Sequence, residues 1–380
     1  MRQGIHRKNT LAVILDIIPY KVLPAQMGGQ KGIANFCEYL GAKHELYSIT
    51  VKDNDPSLAH HYKLIPYFSN HKLRYANIFY LPFIIKTMRE KKVKNLITEH
   101  PYLAWMGWII KLFTGVKWII HSHNIEYLRF ETLGKWWYKI LKWYETWAYC
   151  NADSVFFKTS EDLEFAVTTK MIKPANAMVL PFGIKIKDLP TDIKKTKEEV
   201  YTLHNIPADC ILIFFNGAFN YSPNTDALSF ILDKINPLLF SKKDFNYRII
   251  ICGKDLPAYF NNLSAYKNKN IIYAGFVDDI MKYFKATDIF LNPIVTGGGV
   301  KTKVVEAIAF GNTVISCETG SAGINKEICG NKLKVVADND EDEFAREIII
   351  VAKENHKTPQ AYYDYYYWGT IIERISEVFV

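Results

Sequence analysis

With 380 residues, 49% of them apolar and 23% charged, the chain has room for two domains with separate cores, and it shows no solenoid repeat or low-complexity tail. A net charge of +8 suits anionic substrates, an anionic membrane surface or nucleic acid. No recognised nucleic-acid module accompanies that charge, so no nucleic-acid partner is expected. The six cysteines are scattered, with no C-x-x-C and no zinc-ligand spacing, and read as small buried hydrophobes of a reducing compartment.

The chain begins with MRQGIHRKN and then LAVILDII. Basic residues before an apolar run imitate a signal peptide, but Asp16 interrupts the run and Pro19 ends it. It reads as a first buried strand, in a cytoplasmic protein. A loop with Gly28 and Gly29 leads into a helix through ANFCEYL, and LYSIT is the next strand. After a polar stretch around DNDPS, a helix near YLPFIIKTMRE precedes the strand KNLITEH. A helix over about 102–113 precedes the strand KWIIHSH, and the most apolar long stretch, 103–120, is broken by Lys111, Gly115 and Lys117, too soon for a membrane span. A helix near 134–149, rich in Trp, Tyr and Lys, is followed by ADSVFFKTS and AMVLPFGI. Strand and helix alternate as in a parallel doubly wound sheet.

The charged stretch 184–200 lacks a strand pattern and reads as a linker running into a helix. The alternation then restarts, with strands ILIFFNG, YRIIICG, NIIYAGF, DIFLNPI, TVISC and LKVVAD, and helices near 225–234, 278–285, 300–310 and 340–354. The last segment, TPQAYYDYYYWGTIIERISEVFV, reads as one helix with a tyrosine-rich first turn. Expected, then, are two Rossmann-like domains, 1–183 and 201–360, facing across a cleft lined by loops at strand ends, with 361–380 packing back on the first.

Within the second domain, LNPIVTGGGVKTKVVEAIAFG (291–311) carries the chemistry. A buried strand ends, three glycines follow, and Val300, Val304, Val305 and Ile308 recur at helical spacing until Gly311. Glycines let backbone N–H groups approach phosphate oxygens, and a helix N-terminus favours an anion. Lys301 and Lys303 in the first turn would repel that helix end unless an anion neutralised them. The alternative is a tight turn with two solvated lysines. Neither the Walker A spacing nor the dinucleotide fingerprint is present, which disfavours an NAD-dependent dehydrogenase.

FFNGAFNYSPNTDALSF, ICGKD, AGFVDDI and the 291–324 block together resemble the C-terminal domain of GT-B glycosyltransferases, specifically retaining glycosyltransferase family 4. The GG loop, HSHNIEY with Arg129 beyond, NADSVFFKTSEDL and VLPFGI agree in the first half. The resemblance implies a nucleotide-diphosphate sugar bound by the second domain and a glycan or lipid-linked acceptor bound by the first. It implies transfer with retention of configuration, generally without a bound metal, in cell-surface polysaccharide or glycoconjugate synthesis. Glu306 matches the second acid of the family's Glu–seven residues–Glu motif and would grip the ribose; Lys301 and Lys303 match a basic pair near the phosphates. Phe276 and Val277 lie where the base is held, Gly28 and Gly29 match the loop facing the diphosphate, and His123, with His121, matches a histidine near the reacting carbon. Gly217, Lys254 and Gly299 complete the expected donor site. The motif's first acid falls on Gly298, which leaves the group that contacts the donor sugar unidentified.

The chemistry of the leaving group fits these roles. Charge grows on the β-phosphate as the glycosidic bond breaks, and fixed N–H dipoles and lysines stabilise it. No D-x-D pair stands at a strand end, and Asp278-Asp279 opens a helix, so neither a metal nor a cofactor is expected. Asn220, Tyr221 and Asn224 are further candidates for the donor cleft, with helix capping as the alternative for Asn224; Glu126 and Arg129 read as helix-start residues, with contact to the acceptor as the alternative. The segment GKWWYKILKWYETWAYC suits either a core helix with snorkelling lysines or docking on the inner face of an anionic membrane. Two rival functions share the fold: a sugar-nucleotide 2-epimerase, and a non-catalytic nucleotide-sugar-binding subunit.

Overall fold

The structure, a computed structural model, describes residues 11–379. The basic segment before Leu11, read above as no signal peptide, lies outside the described residues. The chain forms two compact units: Met1–Gly183 with Trp368–Val380, and Ile184–Tyr367.

The first unit holds strands β1 (Val13–Ile18), β2 (Glu45–Val51), β3 (Lys63–Phe68), β4 (Asn95–Glu99), β5 (Lys117–Ser122), β6 (Ser154–Phe157) and β7 (Ala177–Val179). They pair in parallel in the order β3-β2-β1-β4-β5-β6-β7, so the winding reverses between β1 and β4. Its helices are α1 (Gly28–Gly41), α2 (Leu81–Glu90), α3 (Ala104–Thr114), α4 (Glu126–Thr132), α5 (Tyr138–Asn151) and α6 (Ser160–Thr168). Both faces of the sheet are buried, as parallel sheets require. Ile14, Ile97, Ile119 and Phe156 meet Phe36 and Leu40 of α1 on one face. Leu15, Leu96, Trp118 and Val155 meet Ile84, Met106 and Ala148 on the other. The sequence reading missed β3, because Pro66 demotes its apolar run; the strand lies at the sheet edge, where a missing N–H is tolerated.

The second unit repeats the plan. After α7 (Ile193–Leu203) come β8 (Ile211–Ala218), α8 (Ser222–Phe230), α9 (Asn236–Phe240), β9 (Tyr247–Lys254), β10 (Ile271–Gly275), α10 (Ile280–Ala286) and β11 (Ile289–Asn292). Then follow α11 (Thr302–Ala309), β12 (Thr313–Cys317), β13 (Leu333–Val336), α12 (Glu341–Val351) and α13 (Gln360–Tyr366). The parallel order is β10-β9-β8-β11-β12-β13. The stretch expected as a linker is part of this unit. Its helix α7 packs on α10, and Lys285 and Lys282 pair with Asp192 and Glu199.

The closing segment is two helices rather than one. Tyr362 and Tyr363 of α13 donate their hydroxyls to the carbonyls of Val305 and Ala309, which holds α13 on α11. At Tyr367 the backbone becomes extended, and Tyr367 forms a parallel bridge with Ile184. Only from Trp368 does the chain rejoin the first unit, as α14 (Trp368–Ser376). Its Trp368, Ile371, Ile372 and Ile375 are buried in the α1 face of the first core. Among the described residues no helix is long and apolar enough to cross a membrane.

Candidate functional site

In the second unit the winding reverses between β8 and β11, the place where open α/β sheets bind ligands. Gly297 and Gly299 follow β11 with φ of +85° and +77°, where any side chain would be strained; Gly298 lies between them. Lys301 precedes α11 as its N-cap residue and turns back on the loop, donating to the carbonyls of Gly297 (2.6 Å) and Gly299 (3.2 Å). Lys303 reaches across the reversal instead: its Nζ donates to the Asn216 carbonyl at 2.8 Å and to Asn224 Oδ1 at 2.9 Å. Burial pushes the Lys303 pKa down to about 7; neighbouring Lys301 adds to the fall and Glu306 opposes it. Lys301 is lowered too, again chiefly by burial. An ammonium so desolvated gains from an arriving anion.

The remaining expected residues stand at adjacent strand ends. Asn224 packs against Gly217 and donates its amide to the Ala218 carbonyl, so it sits within α8 and joins the site as well. Gly217 pairs in register with Gly253, and exposed Lys254 ends β9. Exposed Phe276 and half-buried Val277 follow β10. Tyr221 presents its hydroxyl to Gly297. Glu306 lies half-buried one turn along α11 from Lys303. Backbone amides of a glycine loop, a helix start and two lysines together suit a diphosphate.

In the first unit, Gly28 and Gly29 are not a loop before α1 but its first turn. The Gln30 side chain accepts from the backbone N–H groups of Gln26 (2.9 Å) and Met27 (3.0 Å). A side chain at Gly29 would meet open space, so this helix start offers bare backbone.

His121 and His123 project from one face of β5 and its end, and both meet Glu99, the last residue of β4. Parallel pairing sets Glu99 beside His121. Glu99 Oε1 lies 2.8 Å from His121 Nδ1, and Glu99 Oε2 lies 2.5 Å from His123 Nε2. Glu99 and His121 are fully buried, whereas the His123 side chain is 10% exposed. The ring of His100 stacks on His123 at 4.3 Å between centroids, and His100 Nδ1 lies 3.1 Å from Glu126 Oε1. Glu126 also accepts from the Tyr102 hydroxyl and from Arg129. Burial works against its charge, but His100, Tyr102 and Arg129 outweigh that and bring its pKa to about 2. Burial pushes His121 and His123 well below the usual range, helped at His121 by Lys158 and at His123 by His100, which favours the neutral rings.

Around this pair lie further buried ionisable groups. Asp16 is raised by burial and by Glu99, while Lys158 is brought to about 8 by burial against the pull of Glu99. Asp16 Oδ1, Tyr20 Oη, His121 Nε2 and Lys158 Nζ are buried without a hydrogen-bond partner. Glu99, His121 and His123 hold ligand atoms within 4.8 Å of one another, the one group among the described residues able to close on a metal ion. Sequence reasoning proposed the two histidines, gave Glu99 no role beyond a place in a strand-end loop of the expected cleft, and favoured an ordinary helix start over acceptor contact for Glu126. The signal for Glu99 was an acid at the end of a buried strand, and only the pairing of β4 with β5 shows what it meets.

Residues 27–188 match the family model for Glycosyltransferase Family 4, and residues 211–354 match that for Glycosyl transferases group 1. A curated relative, an uncharacterized 44.6 kDa protein in the cps region of Klebsiella pneumoniae, is 24% identical over 245 residues. That match spans 62% of this chain and 59% of the relative, so less than two thirds of the relative's length is covered. A glycosyltransferase from Rickettsia africae superposes with a TM-score of 0.71 at 16% identity, covering 97% of this chain and 98% of that one. Anabaena HepE in complex with UDP gives 0.69 at 15% identity, covering 96% and 99%. Sucrose-phosphate synthase from Thermosynechococcus elongatus gives 0.67 at 16% identity, covering 96% and 98%.

Proposed function

Because the chain is a GT-B glycosyltransferase of the family 4 type, we propose that it moves a sugar from a nucleotide-diphosphate donor to a glycan or lipid-linked acceptor with retention of anomeric configuration. The product belongs to a cell-surface polysaccharide or glycoconjugate; the relative in a cps region is consistent with that. The observation that carries the reading is the glycine loop with Lys303 bridged across the winding reversal of the second sheet. The diphosphate is held there by loop amides, the start of α11, Lys301 and Lys303, with Glu306 on the ribose and Phe276 and Val277 at the base. As the bond from the anomeric carbon to the β-phosphate breaks, these groups take up the growing charge without a metal. His123, supported by His121, acts at the reacting sugar. Anabaena HepE, a neighbour of this fold, is seen in complex with UDP, which makes UDP the first nucleotide to try.

We further propose that the chain works on the inner face of an anionic membrane. On α5 and the turn before it, Trp136, Ile140 and Trp143 are 81%, 62% and 70% exposed, among exposed Lys135, Lys139 and Lys142. The opposite side of α5, with Leu141, Ala148 and Tyr149, is buried. An exposed aromatic-and-lysine face suits the interfacial zone of a bilayer.

The test is calorimetry with UDP, GDP, ADP, dTDP and their sugar conjugates, with and without EDTA. Binding of one nucleotide family, indifferent to EDTA, supports the donor site; no binding by a folded chain removes it. Conversion of the donor without acceptor would favour a 2-epimerase, and binding without conversion would favour a non-catalytic subunit.

A further inference from the structure

A carboxylate has acceptor oxygens and no proton to give. Any ring nitrogen hydrogen-bonded to it must therefore carry the hydrogen. Glu99 uses one oxygen on each histidine, at Nδ1 of His121 and at Nε2 of His123. An imidazole in its ordinary neutral form has a single N–H, and the geometry sets a Glu99 oxygen against one nitrogen of each ring. We infer that Glu99 is a positioning residue that fixes His121 as the Nδ1–H tautomer and His123 as the Nε2–H tautomer, leaving Nδ1 of His123 as the atom that accepts a hydrogen bond from a substrate hydroxyl.

The surroundings hold the ring as well as the proton. His123 lies between two other imidazoles, His121 at 4.5 Å and His100 at 4.3 Å between centroids. His100 is itself tied to a second buried carboxylate, Glu126. Of the Glu99 pair, His123 is the member that reaches the surface. His121 is enclosed, packed on Phe36 of α1. Its task is to occupy the other oxygen of Glu99 and hold the carboxylate in plane. No proton moves in this arrangement; Glu99 dictates where the lone pair points. The role toward a substrate hydroxyl rests on the glycosyltransferase reading, whereas the tautomer assignment does not.

Histidine tautomers are read by two-bond 15N–1H correlation spectra of the full chain labelled with 15N-histidine. The native spectrum is expected to show His121 as Nδ1–H and His123 as Nε2–H. Glu99→Gln offers one oxygen and one NH2, so it should invert the tautomer of one ring. Glu99→Ala should release both rings into mixed tautomers and lower kcat by roughly 100-fold, the scale of a small misplacement, with donor KM unchanged. Circular dichroism checks that both variants fold, and Glu99→Gln keeps the side-chain volume if the alanine variant does not. Three results would overturn the inference: native His123 as Nδ1–H, both tautomers kept in Glu99→Ala, or one metal ion per chain in elemental analysis of the native protein. Released tautomers with unchanged kcat would leave Glu99 a packing residue and overturn its role in transfer. A native chain with the expected tautomers that transfers no sugar would overturn the functional reading, with the tautomer half of the inference supported.

Discussion

Lys303 and Asn224, 79 residues apart, meet in a 2.9 Å hydrogen bond that ties the first turn of α11 to α8. The bond gives the half-buried ammonium a neutral partner and leaves its charge available to an incoming anion.

A nucleoside diphosphate is therefore expected to draw a proton onto Lys303 as it binds. Burial holds the free residue near a pKa of about 7, so it is charged below that pH and neutral above. An anion raises the pKa, and affinity should fall as pH rises through 7 and beyond. Calorimetry in buffers of different ionisation heat should show the uptake. Lys303→Met should remove the uptake and flatten the profile, with affinity lower by roughly tenfold, equivalent to about one pKa unit. Identical heats in all buffers would exclude Lys303 from the anion site.

Glu306→Ala should weaken binding of a nucleotide sugar by roughly tenfold, the loss of a charge-assisted hydrogen-bond pair to the ribose, while the melting curve stays cooperative. The matching base without ribose should bind both chains alike. Unchanged affinity for the nucleotide sugar would remove Glu306 from the site.

His123→Ala should lower kcat by roughly 100-fold or more and leave donor affinity nearly untouched, as for a group that acts in the transition state. Single-turnover assays against equilibrium titration separate the two quantities. A fully active variant would refute the role.

Gly183→Ala should destabilise the first unit by about 1–3 kcal/mol, the usual cost of overfilling a core. A Cβ there would come within 2.5 Å of the Trp368 indole, which is fully buried. Thermal melts give the measurement; an unchanged midpoint would mean that Trp368 yields easily.

Trp136→Ser with Trp143→Ser should reduce flotation with vesicles containing anionic lipid. Neutral vesicles should bind the native chain weakly, and high salt should release it from anionic ones, because lysine attraction is screened. Flotation of native and variant chains to the same extent would discount this face.

The strands of the second unit and most of the first were legible because parallel strands buried on both faces give short apolar runs between helical patterns. Lys63–Phe68 was not, since Pro66 argues against a strand everywhere except at an edge. The extent of the last helix was misjudged because no Gly or Pro marks a break in the tyrosine run; the backbone turns extended at Tyr367, whose bridge partner Ile184 is distant in sequence. At the candidate site, the glycine loop and Lys301 and Lys303 announce themselves locally. What Lys303 bonds to does not, because Asn216 and Asn224 come from a distant strand and helix. Glu99 is the same case, an ordinary acid until β4 and β5 pair.

The return of α14 to the first unit bears on the order in which the protein can be completed. Residues up to Gly183 leave the ribosome without the strip of Trp368, Ile371, Ile372 and Ile375 that seals the α1 side of their core. The whole second unit, Ile184–Tyr367, is made in between. During that interval Phe36, Leu40 and the sheet beneath them have an uncovered apolar flank, so the nascent first half is a natural client for a chaperone, and every residue of the second unit is made before the first is finished.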